Sequence, residues 1–283
     1  MQILDGKALS NKTKENLTIE CAELKKEGLI PGLAVILVGL DPASQTYVNM
    51  KDKACAETGI FSKKITMSPD VSEEEILDTI KLLNNDASIH GILVQLPLPS
   101  HVDTSKILET ILPSKDVDGF HNYNVGRLVT GNPTLIPCTP LGVMKILEAY
   151  NINPTGLDAC VIGVSNIVGK PMLNLLLNAR ATITVCHSKT KNLKEHTLRA
   201  DLLVVGVGRI NMITADMVKD GAIVIDVGIN RLPNGKLTGD VDYENVASKC
   251  SFITPVPGGV GPMTIAMLLE NTLKAAKLSK GDN

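Results

Sequence analysis

Tyr47 and Lys51 stand four residues apart in a stretch that opens with Asp41-Pro42-Ala43-Ser44 and runs to Thr58 before Gly59. A capping aspartate, a proline and a closing glycine predict a helix there, and a spacing of four puts phenol and amine on one face. Both groups can hold and move protons, although an isolated Tyr-x-x-x-Lys is more often a lysine snorkelling over a surface tyrosine. Chemistry is favoured here because tyrosine is scarce, with four in 283 residues, and because Gln95 is expected at the same sheet edge. Gln95 belongs to the apolar run Gly91-Ile92-Leu93-Val94-Gln95-Leu96, and the following Pro97-Leu98-Pro99 must leave a sheet since proline cannot donate to a ladder. Asp118, in Lys115-Asp116-Val117-Asp118-Gly119-Phe120, reads either as a turn aspartate before glycine or as an acceptor facing a substrate.

A second set of residues suits a nucleotide. Ala159-Cys160-Val161-Ile162-Gly163 is an apolar run ending in glycine, followed by Val164-Ser165-Asn166 and a helix near Pro171. Ser165 or Asn166 can cap that helix, whose free N–H groups suit a pyrophosphate. The spacing departs from G-x-G-x-x-G, because Ser165 takes the second glycine's place, so alone it also reads as an ordinary strand-turn-helix. The next strand ends at Cys186-His187-Ser188-Lys189-Thr190, with no carboxylate before Glu195. A hydroxyl and lysines at that tip suit the 2′-phosphate of NADP rather than the ribose diol of NAD. The run Pro257-Gly258-Gly259-Val260-Gly261 is either a hinge or exposed backbone that a flat ring can approach. His90, His101, His121, His187 and His196 have no metal-ligand spacing, and no metal site is expected.

The elements that must position these residues alternate. Helix 6–27, strand 32–39, helix 41–58, strand 60–66, helix 72–84 and strand 91–96 are followed by a helix near 103–111 and an aperiodic segment to Thr139. Beyond a helix at 140–150 the rhythm resumes, with strands 159–163, 181–185, 201–206, 222–228 and 251–254 and a final helix at 263–277. The expected fold is α/β with two α/β domains, the second a doubly wound parallel sheet whose strands end in Gly163, Gly206 and Gly228. Hydrophobic residues make up 44% of the chain and charged residues 20%, which is globular, and a net charge of -2 without a Lys/Arg cluster argues against nucleic acid. The N-terminus lacks a signal-peptide core and no apolar run approaches the ~20 residues of a membrane span, so a cytoplasmic protein with small-molecule partners is expected.

Tyr47-Val-Asn-Met-Lys51, Gly91-Ile-Leu-Val-Gln95-Leu-Pro-Leu-Pro99, Lys115-Asp-Val-Asp118-Gly, Pro137-Cys-Thr-Pro140, Gly163-Val-Ser165-x-x-Val-Gly169-x-Pro171 and Pro255-Val-Pro-Gly-Gly-Val-Gly-Pro262 occur together in this order. The combination strongly resembles the bifunctional methylenetetrahydrofolate dehydrogenase/cyclohydrolase family. The resemblance implies a folate-binding catalytic domain of residues 1–138 plus 262–283, to which the C-terminal helix returns, and a Rossmann-like NADP-binding domain of residues 139–261. It also implies a folate cleft where they meet and a homodimer. The implied reaction oxidises 5,10-methylenetetrahydrofolate with NADP⁺ to the methenyl cation and hydrolyses that to 10-formyltetrahydrofolate, a step of one-carbon metabolism that feeds purine biosynthesis. By the same resemblance Lys51 shuttles protons in hydrolysis, Gln95 holds Lys51 and a water, Tyr47 stacks on the folate and Asp118 accepts from its amino-pyrimidine edge. Val94, Leu96 and Pro257 to Gly261 join them as substrate contacts. For the cofactor, Gly163, Val164 and Ser165 are implied at the diphosphate, Ser188, Lys189 and Thr190 at the adenosine phosphate, and Ile229 at the nicotinamide. Some family members carry an arginine where this chain has Val164, which leaves 2′-phosphate selection to Ser188 and Lys189. Two other readings share the architecture: a two-domain dehydrogenase of the shikimate or amino-acid type, and a non-catalytic folate or nucleotide binder.

Overall fold

The computed structural model describes residues 1–281. In chain order the elements are β1 (Gln2–Ile3), α1 (Gly6–Lys26), β2 (Gly32–Val38), α2 (Pro42–Thr58), β3 (Phe61–Met67), α3 (Glu73–Asn85), β4 (Gly91–Val94), α4 (Thr104–Thr110), α5 (Asn122–Val129) and α6 (Cys138–Ala149). They continue with β5 (Asp158–Ile162), α7 (Gly169–Asn178), β6 (Thr182–Cys186), α8 (Leu193–Thr197), β7 (Leu202–Val205), β8 (Ile223–Asp226), β9 (Asn230–Arg231), β10 (Leu237–Thr238), α9 (Tyr243–Val246), β11 (Phe252–Ile253) and α10 (Val260–Gly281). The chain divides into two compact units, one of Lys12–Cys138 with Ile265 onward, the other of Met1–Asn11 with Thr139–Thr264.

The first unit holds a three-stranded parallel sheet in the order β3-β2-β4. Every residue of β2 and β4 is buried, as expected of parallel strands covered on both faces, whereas β3 is the edge and alternates toward solvent. Ile36, Ile76, Ile80, Ile92 and Ile107 form much of the core between sheet and helices α3 and α4. Local capping defines the helices: the Asp41 carboxylate accepts from Ser44 N at 2.7 Å, Gly59 closes α2 at φ 80, and Ser72 accepts from Glu75 N at 3.2 Å.

The second unit holds a six-stranded parallel sheet in the order β1-β11-β8-β7-β5-β6. With β6 and β7 on opposite sides of β5, the strand order reverses at β5, which is the switch point of a doubly wound sheet. The N-terminal residues differ from expectation, because Gln2 and Ile3 pair in parallel with Phe252 and Ile253 and so group Met1–Asn11 with this sheet. Two further differences are additions. Helix α5 lies in the stretch expected to be irregular, and β9 and β10 form a two-stranded antiparallel hairpin after β8.

Candidate active site

In the three-stranded unit, α2 follows β2 directly, so its inward face, Ser44, Val48, Lys51 and Cys55, is laid against the sheet. Lys51 is only 9% exposed, and its Nζ donates to Gln95 Oε1 at 3.0 Å. Gln95 stands just past the end of β4, and its Nε2 donates to Leu96 O at 2.9 Å, so both ends of the amide are fixed and Oε1 must face the lysine. The Leu96-Pro97 peptide is cis where the chain leaves the sheet. Tyr47 lies one turn before Lys51 and is partly exposed, Val94 is buried, and Leu96 is partly exposed beside Gln95.

Asp118 is brought to the same place by its loop. Ile92 N donates to Lys115 O at 2.8 Å, which adds the 115–117 segment alongside β4. Gly119 has φ 70, and a Cβ there would lie 2.6 Å from Pro137 N and 2.7 Å from Ile136 C. The chain can therefore turn here only at glycine. Buried Asp116 braces the loop by accepting from Phe120 N at 3.2 Å, His121 N at 2.9 Å and Asn124 Nδ2 at 2.8 Å. The Asp118 carboxyl is pushed up from the usual carboxylate range by loss of solvent, an effect opposed by the Lys51 ammonium, reinforced by Asp116 and opposed again by a hydrogen bond from Cys138. Ammonium, amide and carboxyl thus form one polar cluster at the strand end.

Asn271, on α10, was not singled out by the sequence reading. Its Nδ2 donates at 2.8 Å to both Val117 O and Ile136 O, clamping the residues before Asp118 to those before Cys138. Its sequence context, Glu270-Asn271-Thr272 after the apolar run Ile265-Ala266-Met267-Leu268-Leu269, marks it only weakly.

The six-stranded unit supplies a cradle of different chemistry. Gly163 has φ 114, and a Cβ on it would come within 2.3 Å of Gly206 O, while one on Gly169 would come within 2.0 Å of Gly163 O. Neither expected residue is the N-cap of α7, which is Val168 without a side-chain cap; Ser165 Oγ instead braces the turn before it, accepting from Val168 N at 3.1 Å and Gly169 N at 3.4 Å. Val164 is 39% exposed beside it. At the tip of β6 the turn closes on itself: Thr190 N donates to His187 O at 2.9 Å, and His187 N donates to Thr190 Oγ1 at 2.9 Å. Ser188 and Lys189 are exposed on this turn, and Ile229, past the end of β8, is exposed and lies 3.4 Å from where a Cβ on Gly261 would stand. Pro257 to Gly261 belong to this unit, with the Val256-Pro257 peptide cis and Gly258 at φ 107. Among the described residues no group of three His, Cys, Asp or Glu side chains is placed to hold a metal ion, and no helix is long and apolar enough to cross a membrane.

A parallel sheet with a glycine-lined turn at its switch point, joined in one chain to a cluster of a buried lysine with a half-buried amide and carboxyl, defines a nucleotide-dependent α/β enzyme. A family model described as the catalytic domain of tetrahydrofolate dehydrogenase/cyclohydrolase matches residues 4–118, and one described as the NAD(P)-binding domain of the same family matches residues 137–280. The chain belongs to the tetrahydrofolate dehydrogenase/cyclohydrolase family and is an enzyme of one-carbon metabolism. It is 64% identical over 277 residues to the bifunctional protein FolD of Nautilia profundicola, covering 98% of each chain. The crystal structure of the Campylobacter jejuni bifunctional enzyme FolD, methylenetetrahydrofolate dehydrogenase/cyclohydrolase, superposes with a TM-score of 0.98 at 58% identity over 99% of each chain. The Trypanosoma brucei methylenetetrahydrofolate dehydrogenase-cyclohydrolase, solved with NADP cofactor and an inhibitor, gives 0.95 at 37% identity over 98% of each chain. Likeness of this extent does not favour the shikimate-type reading or a non-catalytic binder.

Proposed function

We propose that this chain oxidises 5,10-methylenetetrahydrofolate with NADP⁺ and hydrolyses the methenyl product to 10-formyltetrahydrofolate, with Lys51 as the proton carrier of the second step. The observation that carries the assignment is the 3.0 Å bond from Lys51 Nζ to a Gln95 amide that is itself held at its other end. Oxidation makes a cation shared by two nitrogens, so the protein's task in that step is to place the folate rather than to supply a base. Tyr47 offers its ring face to the pteridine, and Asp118 offers a carboxyl to the amino-pyrimidine edge, with Val94 and Leu96 along the ring. Hydrolysis asks for more. Water adds to the methenyl carbon, the bond from that carbon to N5 breaks, and one proton is released overall. Lys51 moves that proton while Gln95 holds the amine and the water in line.

The residues at the switch point fit the cofactor, since glycine lets the backbone after β5 turn tightly, a Cβ on Gly163 coming within 2.3 Å of Gly206 O and one on Gly169 within 2.0 Å of Gly163 O, and leaves Val164 exposed at the turn. Gly163, Val164 and Ser165 hold the diphosphate, Ser188, Lys189 and Thr190 the adenosine phosphate, and Ile229 flanks the nicotinamide. NADP⁺ supplies the hydride acceptor. NADP is selected over NAD by a tip that carries a hydroxyl and an ammonium but no carboxylate. The reading includes a cytoplasmic location and, as the family resemblance implies, a homodimer, for which sedimentation of the purified protein is the check. Purified protein given methylenetetrahydrofolate and either NADP⁺ or NAD⁺ should show methenyl absorbance rising and then decaying, faster with NADP⁺. No change with either nucleotide would sink the assignment.

A further inference from the structure

Asp240 follows the β9–β10 hairpin and is fully buried. Its Oδ2 accepts from Val207 N at 2.6 Å and Gly208 N at 2.9 Å, and its Oδ1 from Arg209 N at 2.8 Å and Asn230 Nδ2 at 2.9 Å. The first three donors are the loop after β7, and the fourth, Asn230, opens β9 four residues past the end of β8. Asp226, the last residue of β8, sits behind it. Asp226 Oδ1 accepts from Gly228 N at 2.9 Å and Asp240 N at 3.0 Å, and Oδ2 from Val241 N at 2.9 Å. The backbone has no slack around the two carboxyls, since a Cβ on Gly228 would lie 2.4 Å from the Asp240 carboxyl carbon and one on Gly239 would lie 1.8 Å from Asp226 Oδ2.

Two buried carboxylates answered by N–H groups are a costly way to join two loops, because each must be desolvated and depends on every donor being in place. The return is rigidity, for a nest of converging N–H groups has one low-energy arrangement. Topology says what is being held. The diphosphate cradle is on β5 and the adenosine tip on β6, so the remaining half of the dinucleotide runs the opposite way, over the carboxyl ends of β7 and β8. These are the two ends that Asp240 ties together. Ile229 lies between Gly228 and Asn230, both held by the pair. We propose that Asp240, braced by Asp226, is a positioning residue for the nicotinamide half of the cofactor, serving hydride removal and not hydrolysis. The proposal rests on the cofactor placement given under Proposed function.

Asp240→Asn keeps the shape and turns one acceptor into an NH₂ group facing N–H donors. Asn230→Ala removes a single donor and leaves the carboxylate with three. Each variant is assayed for NADP⁺-dependent oxidation of methylenetetrahydrofolate and, without nucleotide, for hydrolysis of added methenyltetrahydrofolate. The expected result is a loss of at least about tenfold in kcat/KM for NADP⁺ in Asp240→Asn and a smaller loss in Asn230→Ala, with hydrolysis within about twofold of wild type in both. A parallel fall of the two activities, or wild-type kcat/KM in both variants, would overturn the proposal. Should Asp240→Asn not fold, Asn230→Ala decides by the same split. Failure of the underlying assignment looks different, since wild-type protein would then oxidise no methylenetetrahydrofolate. In that case calorimetric titration with NADP⁺ still decides, because unchanged affinity in Asn230→Ala would overturn the role of Asp240.

Discussion

Gly119→Ala perturbs the Asp118 loop at a point where the neighbours cannot give way. The residue has φ 70, and the new Cβ would meet backbone atoms, Pro137 N at 2.6 Å and Ile136 C at 2.7 Å. An L side chain in the left-handed region costs about 1–2 kcal/mol, and forcing a methyl into a packed site about 1–3 kcal/mol more. The sum, about 2–5 kcal/mol, corresponds to a fall of roughly 4–20 °C in melting temperature at about 2–4 °C per kcal/mol. Asp118 is the adjacent residue, so displacement of the loop should also raise KM for methylenetetrahydrofolate at least about tenfold. Gly126→Ala, seven positions on, is the control: it lies in α5, and nothing stands within 4 Å of its added Cβ. It should raise stability by about 0.5–1 kcal/mol with unchanged kinetics. Thermal melts and initial rates on both variants check the pair, and Gly119→Ala melting with the wild type at wild-type KM would refute the steric reasoning.

Lys189→Ala should raise KM for NADP⁺ far more than for NAD⁺, as steady-state rates with the two nucleotides will show; equal effects would remove Lys189 from 2′-phosphate selection. The buried Asp226 carboxyl is raised from 3.8 to about 6, first of all by loss of solvent. The folded state therefore holds this proton more tightly than the unfolded chain does. Its favourable contribution is complete below about pH 4 and is lost as pH rises through about 6. About 2 pH units amount to roughly 3 kcal/mol. Denaturation of wild type and Asp226→Asn across this window should show the wild type losing ground to the variant by that order as pH rises, and a pH-independent difference would count against it.

Helix α2 was legible in the sequence because its determinants are local: Asp41 caps it, Pro42 begins it and Gly59 ends it. Helix α5 was not, because Gly126 weakens its pattern and its first turn depends on tertiary partners, Asn122 N donating to Glu109 Oε1 at 2.7 Å and the preceding loop being held by Asp116. Strand β1 has two residues and exists only through pairing with Phe252 and Ile253, a relation that no local signal carries. Lys51 and Gln95 could be found because α2 follows β2 directly and Gln95 stands just past β4, so that chain order places both at one sheet edge. Asn271, Asp226 and Asp240 act on backbone groups brought close by the fold, so the first two are marked in the sequence only as polar residues within or just after an apolar run, and Asp240, in Lys236-Leu237-Thr238-Gly239-Asp240, reads as an ordinary turn residue.

Lys51 is assigned to hydrolysis and not to oxidation, and Lys51→Met separates the two. It keeps a long unbranched side chain and removes the group that donates to Gln95 Oε1. With methylenetetrahydrofolate and NADP⁺, absorbance should show the variant forming the methenyl product and failing to consume it, with hydrolysis slower by about 10²-fold or more. Hydrolysis of the methenyl compound at the wild-type rate would contradict the assignment.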